Sequence, residues 1–432
     1  MKIFLALTLI LGTLMASSLP KYETKTLENG LQIVVIPLKN STNVISTDIF
    51  YKVGSRNEVM GKTGIAHMLE HMNFKSTKNL NAGEFDKEVK SIGGVNNAST
   101  SFDYTHYYIK SSTQNLGKSL ELYAELMQNL NLKDKEFQPE RDVVAEERRW
   151  RTENSPLGYL YFAMFNNAYV YHPYHWTPIG FMNDIQTWTI EDIKKFHKTY
   201  YQPNNAILMV TGDVDSKDVF KKAAKEFSHI KNGTKIPEFK FVEPEQNGAK
   251  RVTIKKDSEV EMIAITFHIP NFKHEDQVTL SAISQILFSG KSSRLYKELM
   301  DKKHLVNNVY AYNMENIDPS LFIFLASCNP GVKAEDVEIE LIKQIELIKN
   351  EKVTKEEIEK VKINTKSDFI YSLESSTSVA ELFGSYLVRG DLTPLLTHEE
   401  SIEKITQEKV QEVAKKYFNF DKSTTLILKK GK

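Results

Sequence analysis

A single cysteine, Cys328, stands in a chain of 432 residues, so no disulfide can form within it, and a free, buried thiol is the reading of that residue. Charge of one sign is missing too. Lys+Arg and Asp+Glu both number 56, the formal net charge is zero, and no basic run stands out. That balance excludes the electrostatic footprint of a nucleic-acid partner. Beyond the N-terminus no segment is long and apolar enough to span a membrane. The N-terminus itself differs. Met1-Lys2 is followed by an apolar run and then small residues, Ala16-Ser17-Ser18. One positive charge, a short apolar core and small residues at its end predict a signal peptide over residues 1–18, cut just after Ala16 or Ser18. The run falls short of the roughly 20 residues of a spanning helix, so export to the periplasm or beyond is expected, with no stable membrane anchor. The chain as a whole is 41% apolar, normal for a globular protein, and its 432 residues are enough for two domains.

The most informative stretch is His67-Met68-Leu69-Glu70-His71. Its surroundings lack proline and favour a helix. Residues i and i+4 of a helix lie about 40° apart, close enough for two imidazoles to share one metal ion. Glu70 falls on the neighbouring stripe, where a carboxylate can take a proton from water without being a ligand. The pattern H-x-x-E-H leaves two positions free, and by itself it also describes a solvated helix face.

Two histidines do not complete a zinc site; a third ligand and an open position are needed. The candidate segment runs from Glu140 to Trp150 and is also helical in character. Glu140 and Glu147 share one face within about 20°, whereas Glu146 points roughly 120° away from Glu140. From spacing alone this is equally a surface helix with mixed charges.

Taken together, H-x-x-E-H at residues 67–71 with Glu140 and Glu147 resembles the pitrilysin family of zinc peptidases, which includes insulin-degrading enzyme and the mitochondrial processing peptidase. The resemblance extends over Gly93-Gly94-Val95-Asn96-Asn97-Ala98-Ser99-Thr100 and Arg294-Leu295-Tyr296-Lys297-Glu298-Leu299, and so spans nearly the whole mature chain. It implies zinc held by His67, His71 and Glu147, with Glu146 the competing choice for the third ligand. It implies Glu70 as general base and Glu140 as a group orienting a ligand histidine. It also implies that Asn97, Ala98, Ser99 and Thr100 pair with an extended peptide substrate as an added strand.

Along the chain, the order of predicted strands and helices over residues 19–231 recurs over 249–432. Residues 232–248, rich in Pro, Gly, Lys and Glu, read as a linker. The repetition argues for an internal duplication. The expected fold is α+β: two homologous halves, each a mostly antiparallel sheet packed with helices, together forming half of a clamshell-like chamber. Aligning the halves places Ala282, Gln285 and Ile286 opposite His67, Glu70 and His71, and Glu359 and Lys366 opposite Glu140 and Glu147. The second half is therefore expected to hold no metal and to bind substrate or close over it.

One departure matters. Active single-chain members of the family carry an Arg and a Tyr seven residues apart in the second half. Met300 and Asn307 occupy those positions here, with Tyr310 and Tyr312 nearby but out of register. Neither Met nor Asn supplies a charged clamp or a phenol donor. The chain thus looks like the zinc-bearing subunit of a heterodimer whose homologous partner carries the Arg and Tyr. The alternative is a non-catalytic assembly or peptide-binding subunit that retained the fold.

Overall fold

The computed structural model describes residues 18–38, 41–233 and 235–431. The signal-peptide reading falls on residues 1–18, all but Ser18 outside the described residues.

Two sheets organise the chain. The first contains β1 (Glu23–Thr26), β2 (Gln32–Pro37), β3 (Val44–Tyr51), β4 (Val95–Thr100), β5 (Thr105–Ser112) and β6 (Ala206–Gly212), in the order β1-β2-β6-β3-β5-β4. The second contains β7 (Lys250–Lys256), β8 (Met262–Ile269), β9 (Val306–Asn313), β10 (Ser320–Cys328) and β11 (Ser423–Lys430), in the order β7-β11-β8-β10-β9. Pairing is antiparallel except for β2 with β6 and β7 with β11. Central strands read as continuous apolar runs because both of their faces are covered; every residue of β6 is buried. β4 is different. It lies at the sheet edge, and its side chains alternate between exposed and half-buried.

The first sheet packs one face against its own helices, among them α1 (Ile65–Asn73), α2 (Glu84–Ser91), α3 (Leu116–Asn129) and α4 (Asp134–Arg148). The second sheet does the same with Asp276–Phe288, Ala334–Asn350 and Gln407–Tyr417.

The outer faces are covered by exchange. Helix α5 (Pro156–Ala168) of the first half lays Leu160, Ala163, Met164 and Phe165 on Met262, Ala264, Leu426 and Leu428 of the second sheet. In return, the helix Ser376–Val388 lays Val379, Ala380 and Phe383 on Val34, Phe50, Ile207 and Met209 of the first. Gly384 permits this contact, since a Cβ there would stand 2.1 Å from Phe50 Cζ. Phe50 is itself stacked on His106, with ring centroids 4.0 Å apart.

Residues 231–249 hold no helix or strand among those described, yet they are strapped down. The Glu243 carboxylate accepts the backbone N–H groups of Val170, Tyr171 and His172 at 2.7, 3.0 and 2.7 Å.

Candidate metal centre

Helix α1 begins abruptly. Gly64 adopts φ 83°, the left-handed region that glycine tolerates, and a Cβ there would meet Ile179 O at 2.6 Å. The first N–H groups of a helix lack partners within it. Here the buried Glu58 carboxylate accepts those of Gly64 and Ala66 at 2.8 Å each, and also the indole N–H of Trp176 at 2.9 Å. Met68, Leu69 and Met72 point into the core. That packing leaves His67, Glu70 and His71 together on the remaining face, as the 3.6-residue period requires.

Helix α4 packs against α1 and brings up the acidic partners. Glu147 Oε2 lies 3.7 Å from His67 Nε2 and 3.4 Å from His71 Nε2. Among the described residues, His67, His71 and Glu147 are the group of three whose ligand-type atoms all lie within 4.8 Å of one another. Glu140, one heptad earlier, has Oε1 2.8 Å from His71 Nδ1 and Oε2 2.5 Å from Lys75 Nζ. Glu146 points away, 71% exposed at its side chain and paired with Arg149. After α4 the helix widens into a π-type turn, Arg149–Glu153, which carries Arg151 back over the site with Nη2 2.9 Å from Glu147 Oε1.

The electrostatics separate the two histidines. Burial, and then the charge of His71, push the pKa of His67 down to about 4, so its imidazole is neutral at pH 7 and carries a free lone pair. His67 Nδ1 is buried without a hydrogen-bond partner among the described residues. Burial works against charge on His71 as well, but its hydrogen bonds to Glu140 and Glu147 outweigh burial and push its pKa up to about 9. Burial raises the Glu70 carboxyl, while the hydroxyl of Thr100 opposes that rise. A neutral imidazole, a second imidazole held by a carboxylate, and a converging carboxylate fit a tetrahedral divalent ion such as Zn2+.

These groups line a cavity of about 1140 Å³. Asn97, Ala98, Ser99 and Thr100 of β4 form one margin of it. Thr100 Oγ1 donates to Glu70 Oε2 at 2.5 Å. The second half contributes Tyr310, Tyr312 and Leu325. Met300 instead packs partly buried against the second core, and Asn307 is exposed with its amide 3.4 Å from Cys328 O.

The corresponding place in the second half is apolar and amide-lined. Ala282 and Ile286 are buried, and Gln285 donates its amide to Thr365 Oγ1 at 2.7 Å. Thr365 faces Gln285, while Lys366, one position on, reaches Glu403 on the outside, and Glu359 is exposed.

Glu58, Lys75 and Arg151 escaped the sequence reading. Glu58 caps its helix from six residues before Gly64, too far for a standard capping box, which spans three. Arg151 is i+4 from Glu147, a spacing that was present but indistinguishable from an ordinary surface pair.

Residues 33–173 match the family model described as Insulinase (Peptidase family M16), and residues 187–365 match the one described as Peptidase M16 inactive domain. The zinc protease PqqE of Helicobacter pylori is 56% identical over 416 residues, covering 96% of this chain and 94% of that protein. The crystal structure of a protease from Helicobacter pylori matches with TM-score 0.94 at 56% identity, over 95% of this chain and 100% of that one. The periplasmic protease PqqL from Escherichia coli shares the fold at 21% identity and TM-score 0.78, with 95% of this chain covered and 47% of that one. The chain belongs to peptidase family M16, the insulinase and pitrilysin-like group.

Proposed function

We propose that this chain is the zinc-bearing subunit of an endopeptidase that hydrolyses peptides or unfolded polypeptides. The observation that carries the reading is the convergence of His67, His71 and Glu147 beside Glu70 in one cavity along the edge of β4. His67, His71 and Glu147 would hold Zn2+, with Glu140 fixing His71 through Nδ1. When bound, zinc supplies a Lewis acid that polarises the scissile carbonyl and acidifies water. An extended peptide adds to β4 at Asn97–Thr100, where the main-chain N–H and C=O groups of an edge strand stand free for it. Glu70 accepts the proton of the attacking water as its oxygen bonds to the carbonyl carbon. It then passes that proton to the amine as the C–N bond breaks.

On this reading residues 19–231 are the catalytic domain, 232–248 the linker, and 249–432 a homologous domain that closes over substrate. The positions of Met300 and Asn307 outside the cavity support a division of labour in which a homologous partner brings the Arg and Tyr and completes a chamber. A second reading, in which this chain completes its own site, is favoured by Tyr310. Its ring packs against Phe288 with centroids 5.2 Å apart, and the residue lines the cavity. The relative named as periplasmic supports export of this chain as well. Material from a secretory host should then begin near residues 17–19.

The test combines metal analysis with cleavage of a quenched fluorescent peptide, with and without a homologous chain carrying the Arg and Tyr. The expected result is about one zinc per chain, since one half has ligands. Glu70→Gln should keep the metal and lose hydrolysis. The partner should raise the rate at least roughly tenfold, about 1.4 kcal/mol in the barrier. Full activity in Glu70→Gln sinks the mechanism. Full activity of the isolated chain sinks the division of labour and turns attention to Tyr310.

A further inference from the structure

We propose that Thr100 is a positioning residue for Glu70, acting through its hydroxyl rather than through the substrate. The inference rests on Glu70 being the base, as argued above.

Thr100 is the last residue of β4. Side chains alternate along a strand. Asn97 and Ser99 therefore point to one side, while Asn96, Ala98 and Thr100 point to the side on which α1 lies. Ala98 accordingly packs against the first core, and Thr100 Oγ1 donates to Glu70 Oε2 at 2.5 Å. That bond is the hydrogen bond the Glu70 carboxylate makes among the described residues; Oε1 has none. One oxygen is thus tied to the strand while Glu70 lines the cavity.

The tie matters because Glu70 shares a helix face with two imidazoles. A glutamate side chain has three rotatable bonds and loses substantial rotamer freedom when fixed. Left free, its carboxylate can swing to the histidines and become a ligand itself. Held by Thr100, it presents Oε1 as the proton acceptor. The bond survives each protonation step: with a proton on Oε1, Oε2 still accepts from Thr100.

The support behind Thr100 is stiff. Thr100 pairs with Thr105 at the end of the β4–β5 hairpin. In the turn between them, Asp103 accepts from Tyr174 Oη at 2.6 Å and from the Ile317 N–H at 2.9 Å. A threonine side chain is itself stiff at χ1. One strand therefore sets both the main-chain edge offered to the peptide, at residues 97–100, and, through the side chain of Thr100, the orientation of the base.

The experiment compares Thr100→Val, which keeps the shape and removes the donor, with Thr100→Ser, which keeps the donor. Wild type and Glu70→Gln run beside them, under whichever condition, alone or with partner, the wild type cleaves. Losing a hydrogen bond to a charged group predicts a fall in kcat of roughly ten- to a hundredfold for Thr100→Val. KM should stay within about twofold and zinc content should not change, because the substitution leaves the main-chain edge at residue 100 in place and removes no ligand. Thr100→Ser should recover most of the rate. Thr100→Ala, which relieves any strain from the valine methyl, should match Thr100→Val. Two results overturn the proposal: an unchanged kcat in Thr100→Val and Thr100→Ala, or a loss carried by KM, which would make Thr100 a substrate contact. A wild type with no cleavage that depends on Glu70 sinks the underlying reading instead.

Discussion

His71 Nδ1 lies 2.8 Å from Glu140 Oε1, and the other oxygen of that carboxylate is held by Lys75. The bond settles which ring nitrogen of His71 is left to face Glu147. Glu140→Gln should therefore leave a ligand of lower basicity and looser orientation. Zinc retention measured against a competing chelator should weaken by roughly ten- to a hundredfold, while circular dichroism stays unchanged.

The neighbouring glutamates provide a sharper contrast. Glu147 faces both histidines, whereas Glu146 is an exposed partner of Arg149. Glu147→Gln should lower the zinc content of purified protein, and Glu146→Gln should leave it at the wild-type level. The reverse pattern in metal analysis would assign the ligand to the other residue.

The proton on His71 makes metal uptake depend on pH. In the metal-free protein, burial opposes charge on His71, but Glu140 and Glu147 outweigh it and push its pKa up to about 9. His67 is already neutral at pH 7, its pKa pushed down to about 4 by burial and the His71 charge. A cation must displace the His71 proton, so zinc binding at pH 7 should release about one proton per ion. Apparent affinity should rise with pH, by up to roughly tenfold per unit, and flatten above the pKa of His71. Calorimetry in buffers of different ionisation enthalpy counts the protons. Metal-free stability runs the other way: the contribution of His71 is full below its ordinary value of 6.5 and is lost as pH rises through about 9.

Gly384 tests the exchange of helices. Its missing Cβ would stand 2.1 Å from Phe50 Cζ, and Phe50 cannot retreat because His106 is stacked on it at 4.0 Å. Gly384→Ala should overpack this contact and destabilise the protein by about 1–3 kcal/mol, read as a lower thermal midpoint. The candidate metal site lies on the other face of that sheet, so zinc content should be preserved in the variant that folds.

Much of this arrangement was legible in the amino-acid order, and the exceptions share a cause. The helix Ala334–Asn350 is legible from its 3.6-residue apolar period, which marks one buried and one wet side, and β8 from a short continuous apolar run, the mark of a strand covered on both faces. The two exchanged helices, α5 and Ser376–Val388, show no amphipathic period that would mark them. Leu-Gly-Tyr-Leu-Tyr-Phe-Ala-Met-Phe and Val-Ala-Glu-Leu-Phe-Gly-Ser-Tyr-Leu are apolar on most sides, since each is pressed between a sheet of the other half and its own half, and an all-round apolar segment has no face to show. In the site, the helix period brought His67, Glu70 and His71 together on paper. The reach of Thr100 to Glu70 depends on where an edge strand passes a helix thirty residues before it, a distance no local spacing encodes.

The exchanged helices bind the fates of the two halves. Neither sheet has a complete roof until the other half has folded, so denaturant should dismantle both in one transition, and a cut within the strap at residues 232–248 should yield fragments that stay together. Expressed without its companion, residues 19–231 would present Val34, Phe50 and Met209 bare to water. The half without the His67–His71–Glu147 cluster is in this sense a folding template for the half that carries it.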